Sequence, residues 1–139
     1  MNRITYGNGT EDDPWVLKTP TFSSEFRAWR DAAKAALVVQ VGSTRLSYQL
    51  RCIEDLHGML GTRGGWVLLG NADEGKPVVD GSVEAWARDA ANPVGGYYGM
   101  RKGYRGRFGN YVPPVLELLG LAEVEHNPRG NRVRALVPQ

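Results

Sequence analysis

The sequence predicts an α+β chain, and three observations carry that reading. Residues 15–48 are short runs of alternating or β-branched residues separated by proline and glycine turn signals. From Leu50 the apolar residues change to helical spacing. The chain then closes on an apolar helix stopped by Gly120 and two strands around an Asn-Pro-Arg-Gly-Asn turn. Of 139 residues, 42% are hydrophobic, which is enough for a core and too many for a disordered chain. Apolar runs such as Ala35 to Val39 and Trp66 to Leu69 are too short to cross a bilayer. Met1 to Thr10 is polar and glycine-rich and lacks the apolar region of a signal peptide. The lone Cys52 leaves no internal disulfide framework and no cysteine-based zinc site. The chain reads as soluble and cytoplasmic.

The elements follow in order. Asp12-Asp13-Pro14 is a turn signal, and Trp15 to Lys18 is a short strand closed by Pro20. Ser24 to Ala36 fits two patterns: a capped helical stripe through Phe26, Trp29 and Ala33, or a strand in which Phe26, Ala28 and Arg30 alternate with their neighbours. Leu37 to Val41 is a strand, Gly42-Ser43 a tight turn, and Thr44 to Tyr48 the returning strand. Leu50, Ile53, Leu56, Met59 and Leu60 define a helix stopped at Gly61. Trp66 to Leu69 is a short buried strand, and Asn71 to Gly81 a loop. Ser82 caps a helix through Val83, Trp86 and Ala90, which Asn92-Pro93 ends. Pro113 and Pro114 fit the first turn of a third helix whose apolar face is Val112, Val115, Leu116 and Leu119. Leu121 to Glu125 and Arg132 to Val137 are the closing strands.

From Leu50 onward the order is helix, strand, helix, helix and hairpin. That is the order of a winged helix, in which a hairpin follows the recognition helix. The expected organisation is therefore a β-rich unit over residues 1–48 and a winged-helix-like module over 49–139, packed as one compact domain. One departure from the pattern is the connection of about twenty residues between the second and third helices, where a tight turn is usual.

Charge is distributed unevenly. Residues 1–89 carry 10 Lys/Arg against 12 Asp/Glu, whereas residues 90–139 carry 7 against 3. Gly95 to Gly109 holds six glycines, four aromatics and four basic residues. Arg101, Lys102, Arg105 and Arg107 can pair with phosphates, and Tyr97, Tyr98, Tyr104 and Phe108 can stack on bases. The glycines permit close backbone approach to a sugar-phosphate chain. The plainer reading is that the aromatics anchor an irregular loop on the core while the arginines are solvated. Arg129 sits at the hairpin turn without a nearby acid, whereas Glu123 and Glu125 stand ready to neutralise Arg132 and Arg134 across the strands.

Other constellations are weaker. Glu54 and His57 have i, i+3 spacing, but no second pair of ligands accompanies them, and His126 stands alone in the hairpin. Cys52 reads as a small helix residue, and Glu11-Asp12-Asp13 as a capped turn. There is no phosphate loop, no HExxH, no Ser-His-Asp ordering and no dinucleotide fingerprint. No catalytic residue, metal site or cofactor is expected.

Two long strings, Gly9-Thr10-Glu11-Asp12-Asp13-Pro14-Trp15-Val16-Leu17-Lys18-Thr19-Pro20 and Asn92 to Gly109, together with Ile53-Glu54-Asp55-Leu56-His57, resemble a family of small, mainly actinobacterial proteins classed as a domain of unknown function. The resemblance spans nearly the whole chain. It implies no activity, and it implies that Ser24 to Asp31 is extended.

The leading expectation is a non-enzymatic protein that binds nucleic acid, double-stranded DNA in particular. Arg101, Lys102, Tyr104, Arg105, Arg107 and Arg129 would make the contacts, and Val112 to Leu119 would lie near a groove. The alternative is a protein–protein interaction module with the winged helix as scaffold and the aromatic loop as docking surface. A third reading places a small-molecule site among Trp66, Trp86, Tyr97 and Tyr98.

Overall fold

The computed structural model of the protein describes residues 7–136. β1 (Trp15–Lys18), β2 (Glu25–Asp31), β3 (Ala36–Val41) and β4 (Thr44–Gln49) form a four-stranded antiparallel sheet in chain order. The ambiguous segment is the strand β2, hydrogen-bonded to β1 on one side and β3 on the other. Alternation decides its faces: Phe26 and Ala28 enter the core, while Trp29 joins Ala36 and Val38 in a small cluster on the opposite face. The Arg45 guanidinium covers that cluster, 5.0 Å from the Trp29 ring centre. Gly42, with φ 56°, turns β3 into β4.

The helix α1 (Cys52–Arg63) runs past the expected stop at Gly61. Its termination comes at Gly64, where φ is 73° and the amide bonds Leu60 O at 3.0 Å. Gly58 and Gly61 lie on the exposed side of α1 with open space where a Cβ would go. Gly58→Ala and Gly61→Ala should therefore each stabilise the chain by about 1 kcal/mol, measurable as a rise in the urea midpoint.

β5 (Val67–Leu68), β6 (Ala122–Val124) and β7 (Arg132–Ala135) form an antiparallel sheet in the order β5-β7-β6. Val137, expected at the end of the last strand, lies outside the described residues. α2 (Val83–Trp86) is shorter than expected. Its Ser82 cap forms, with Ser82 Oγ accepting from Ala85 N–H at 3.1 Å. Beyond Trp86 the Asn92 side chain turns the chain away, donating to Trp86 O (2.7 Å) and Gly96 O (2.8 Å).

α3 (Phe108–Leu118) starts four residues before the expected Val112, which puts Pro113 and Pro114 in its second turn. Proline there removes two helical N–H donors, a cost of about 3 kcal/mol or more in a helix interior. Packing offsets it: eight of the eleven residues are buried, both prolines among them. Each fully buried Val or Leu contributes about 2 kcal/mol. Only Asn110, Glu117 and Leu118 are partly exposed. Val112, Val115 and Leu116, from the apolar face expected to lie near a groove, are fully buried and packed into the core. Phe26, Val39 and Tyr48 from the four-stranded sheet share one apolar cluster with Leu56, Val112, Leu116 and Val133.

Candidate functional site

The glycine-rich stretch is a folded loop that lies against residues 70–74. A Cβ on Gly106 would fall 2.2 Å from Glu74 N, one on Gly109 1.9 Å from Gly70 O, and one on Gly99 2.5 Å from Arg105 Cα. These three glycines admit the protein's own backbone, so close approach here serves internal packing rather than a phosphate chain.

Hydrogen bonds fix the loop from three sides. Met100 N–H donates to Ser47 O at 2.8 Å, and Gln49 N–H to Tyr98 O at 2.9 Å, which covers the free edge of β4. Tyr48, fully buried, donates its hydroxyl to Gly106 O at 2.8 Å, and burial raises its pKa well above the ordinary value. Arg107 N–H bonds Ala72 O at 2.8 Å. The Glu74 carboxylate accepts from Gly103 N–H (3.1 Å) and Arg105 N–H (2.9 Å).

Beneath the loop lies a buried ionic centre. Glu84, 1% exposed, accepts from Gly109 N–H (2.8 Å), Phe108 N–H (3.2 Å) and Arg88 Nη2 (3.1 Å). Its carboxylate thus caps α3 where the free amides point. Arg88 also donates to the carbonyls of Ala72, Asp73 and Lys76, and its guanidinium lies 5.0 Å from the Tyr97 ring centre. Periodicity marks Glu84 only as a first-turn acid of α2, so its partnership with α3 was not legible from local sequence. Nothing in the local sequence singles out Arg88.

The residues expected to contact nucleic acid separate into three groups. Arg107 is engaged: Asp73 pairs with it, including Nη2 to Oδ2 at 3.1 Å, and the guanidinium holds the Asp73 carboxyl below its ordinary value. Arg105 is half-buried, with its Nε shielded from solvent and unpartnered among the described residues. Arg101, Lys102 and Tyr104 form the loop tip together with Met100. All four are exposed, and the Arg101 guanidinium stacks 4.3 Å from the Tyr104 ring centre. Arg129 is exposed at the hairpin turn, next to a different cleft from the tip. Among the described residues, Arg101, Lys102 and Arg129 make no ion pair.

The remaining aromatics are structural. Tyr98 is buried against Trp86 (5.2 Å between ring centres) and Phe108 (5.6 Å), and donates to Asp55 at 2.8 Å. Tyr97 accepts from Gly75 N–H at 3.1 Å. Trp66 stands apart under Arg132 and Arg134, at 5.2 and 4.6 Å. Trp66, Trp86, Tyr97 and Tyr98 therefore do not line one site. Cys52 is fully buried, and that burial raises its pKa. On the hairpin, Arg132–Glu125 and Arg134–Glu123 close at 2.7 Å each, as cross-strand complementarity predicts. His126 is not alone: its Nε2 lies 2.7 Å from Glu117 Oε2.

No curated protein and no solved structure matches the chain. A sequence profile does match it over residues 7–136, and by that match the chain belongs to the family of unknown function DUF6855.

Proposed function

We propose that the chain is a non-enzymatic protein–protein interaction module whose docking element is the tip Met100 to Tyr104, and that the part from α1 to β7 is its winged-helix-like scaffold. The element order and the β5-β7-β6 sheet support the scaffold reading. One observation carries the docking reading. The tip is exposed, with Met100 at 47% and Tyr104 at 38%, yet its backbone is clamped at both ends, by Ser47 O on Met100 N–H and by the Glu74 carboxylate on Gly103 and Arg105 N–H. A rigid exposed Met-Arg-Lys-Gly-Tyr tip loses little conformational freedom on binding, and aromatic and arginine side chains dominate interface energetics. Arg101 and Lys102 suit an acidic partner surface.

Site-specific photocross-linking from position 102 in living cells should yield one discrete protein adduct. The adduct should disappear when Arg101→Glu and Tyr104→Ala are added to a chain whose melting temperature is unchanged. Absence of any adduct, or one insensitive to those substitutions, refutes the docking reading.

The excess of base over acid in residues 90–139 favours a second reading, contact with a nucleic-acid backbone through Arg101, Lys102 and Arg129. Retention on duplex DNA at low salt that falls steeply with ionic strength, and that is lost in Arg101→Glu with Lys102→Glu, would put it first.

A further inference from the structure

A second feature lies away from the tip. A cleft of about 600 Å³ opens between β1 and α3, within the size range of small-molecule sites. Its apolar surface comes from Val16, Phe22, Pro114 and Leu118, and its polar wall from Glu117 and His126. His126 is pinned on both ring nitrogens: Nδ1 lies 2.9 Å from Pro20 O, which can only accept, and Nε2 lies 2.7 Å from Glu117 Oε2. The Phe22 ring stacks on the imidazole, 4.3 Å between centres and 14° from parallel.

Phe22 is unusual on two counts. Its side chain is 55% exposed, and its backbone sits at φ 62°, a conformation that disfavours any residue with a Cβ. A turn seeking stability alone would use glycine there. Stacking on His126 holds one side of the ring and the Lys18 ammonium lies 5.9 Å from its centre, yet the ring still lines the cleft from a strained backbone position, so it presents an aromatic surface to an occupant.

We infer that this cleft binds a small, planar, neutral aromatic molecule carrying one N–H or O–H donor. The rim carries both signs, since Lys18 and Glu25 are cross-strand partners and Glu117 faces the His126 ring. A rim of mixed sign offers a charged ligand little net attraction. Glu117 lines the cleft, and its Oε1, which has no hydrogen-bond partner among the described residues on a side chain 37% exposed, is open to accept from an occupant. A ligand N–H or O–H at this oxygen would replace a water rather than leave a polar group unpaired. Strand addition by a peptide along the free edge of β1 fits poorly, because that edge is four residues long, flanked by Pro14 and Pro20 and guarded by Lys18.

Indole tests the assignment against its isostere indene, which has no N–H. In an NMR titration of the full chain, indole should produce saturable shifts confined to Phe22, Leu118, His126 and their neighbours, and indene should bind about tenfold more weakly. Indole shifts that do not saturate, or that map elsewhere, overturn the site. Equal affinity for indene overturns the role of Glu117, and tighter binding of tryptamine or indole-3-acetate overturns the neutral-ligand claim. Phe22→Gly should keep or raise the melting temperature while abolishing the indole shifts. A melting temperature lowered as by a core truncation would show Phe22 to be packing and sink the inference. Leu118→Trp, which fills the cleft from the other wall, should likewise remove binding.

Discussion

Replacing Glu84 by alanine is expected to destabilise the chain by about 3–5 kcal/mol, the cost of breaking a buried ion pair by removing one partner. The loss is concentrated because a single carboxylate satisfies two α3 amides and the Arg88 guanidinium, whose side chain is only 11% exposed. Chemical denaturation measures it directly, and a loss under 1 kcal/mol would mean that water takes over all three roles. Glu84→Gln keeps the shape but turns one acceptor into a donor facing donors, so it should be only partly tolerated. The pH dependence separates the two effects. Burial lifts the Glu84 carboxyl above the ordinary 4.5, against the opposing pull of the Gly109 amide and Arg88. The folded chain therefore keeps that proton to higher pH than the unfolded chain does. Its contribution is full below 4.5 and declines as pH rises through the raised value. The stability of wild type relative to Glu84→Gln should fall over that window. Asp73 acts with the opposite sign: its lowered carboxyl contributes above 3.8 and loses that contribution on acidification.

Gly109→Ala is expected to destabilise by about 2 kcal/mol or more, within or above the usual range for overpacking. The sign is the informative part. In a helix interior alanine normally gains about 1 kcal/mol over glycine, and Gly58→Ala and Gly61→Ala in α1 should show that gain. At Gly109 the new methyl group would sit 1.9 Å from Gly70 O, which is backbone and cannot rotate aside. Equilibrium unfolding of the three variants side by side decides the matter. If Gly109→Ala were as stable as wild type, the contact between α3 and residue 70 would be looser than described.

β1, β3 and β4 were legible from β-branched content and from proline and glycine turn signals in contiguous sequence, whereas β2 fitted a helical stripe equally well and only the family resemblance made it extended. The hairpin ion pairs were legible too, since Glu123 and Glu125 face Arg134 and Arg132 in a simple register. The start of α3 was not. Phe108 and Gly109 enter the helix because a carboxylate 24 and 25 residues upstream receives their amides, and no local rule announces such a partner. The glycine-rich stretch misled in a different way. Glycine signals that something approaches the backbone closely, but not whether that neighbour is a ligand or the same chain. At Gly99, Gly106 and Gly109 it is the same chain. His126 and Glu117 belong to different elements, so neither periodicity nor spacing links them.

The bond from Tyr48 to Gly106 spans 58 residues. It joins the last strand of the first sheet to the loop that presents Met100 to Tyr104. Closing a loop of that length costs entropy that the contacts at its ends must offset. The tip is thus completed only when β4 and the 70–74 segment are both in place. A partner docking on the tip, as proposed above, would meet that surface only on a chain whose first sheet and 70–74 segment are already assembled.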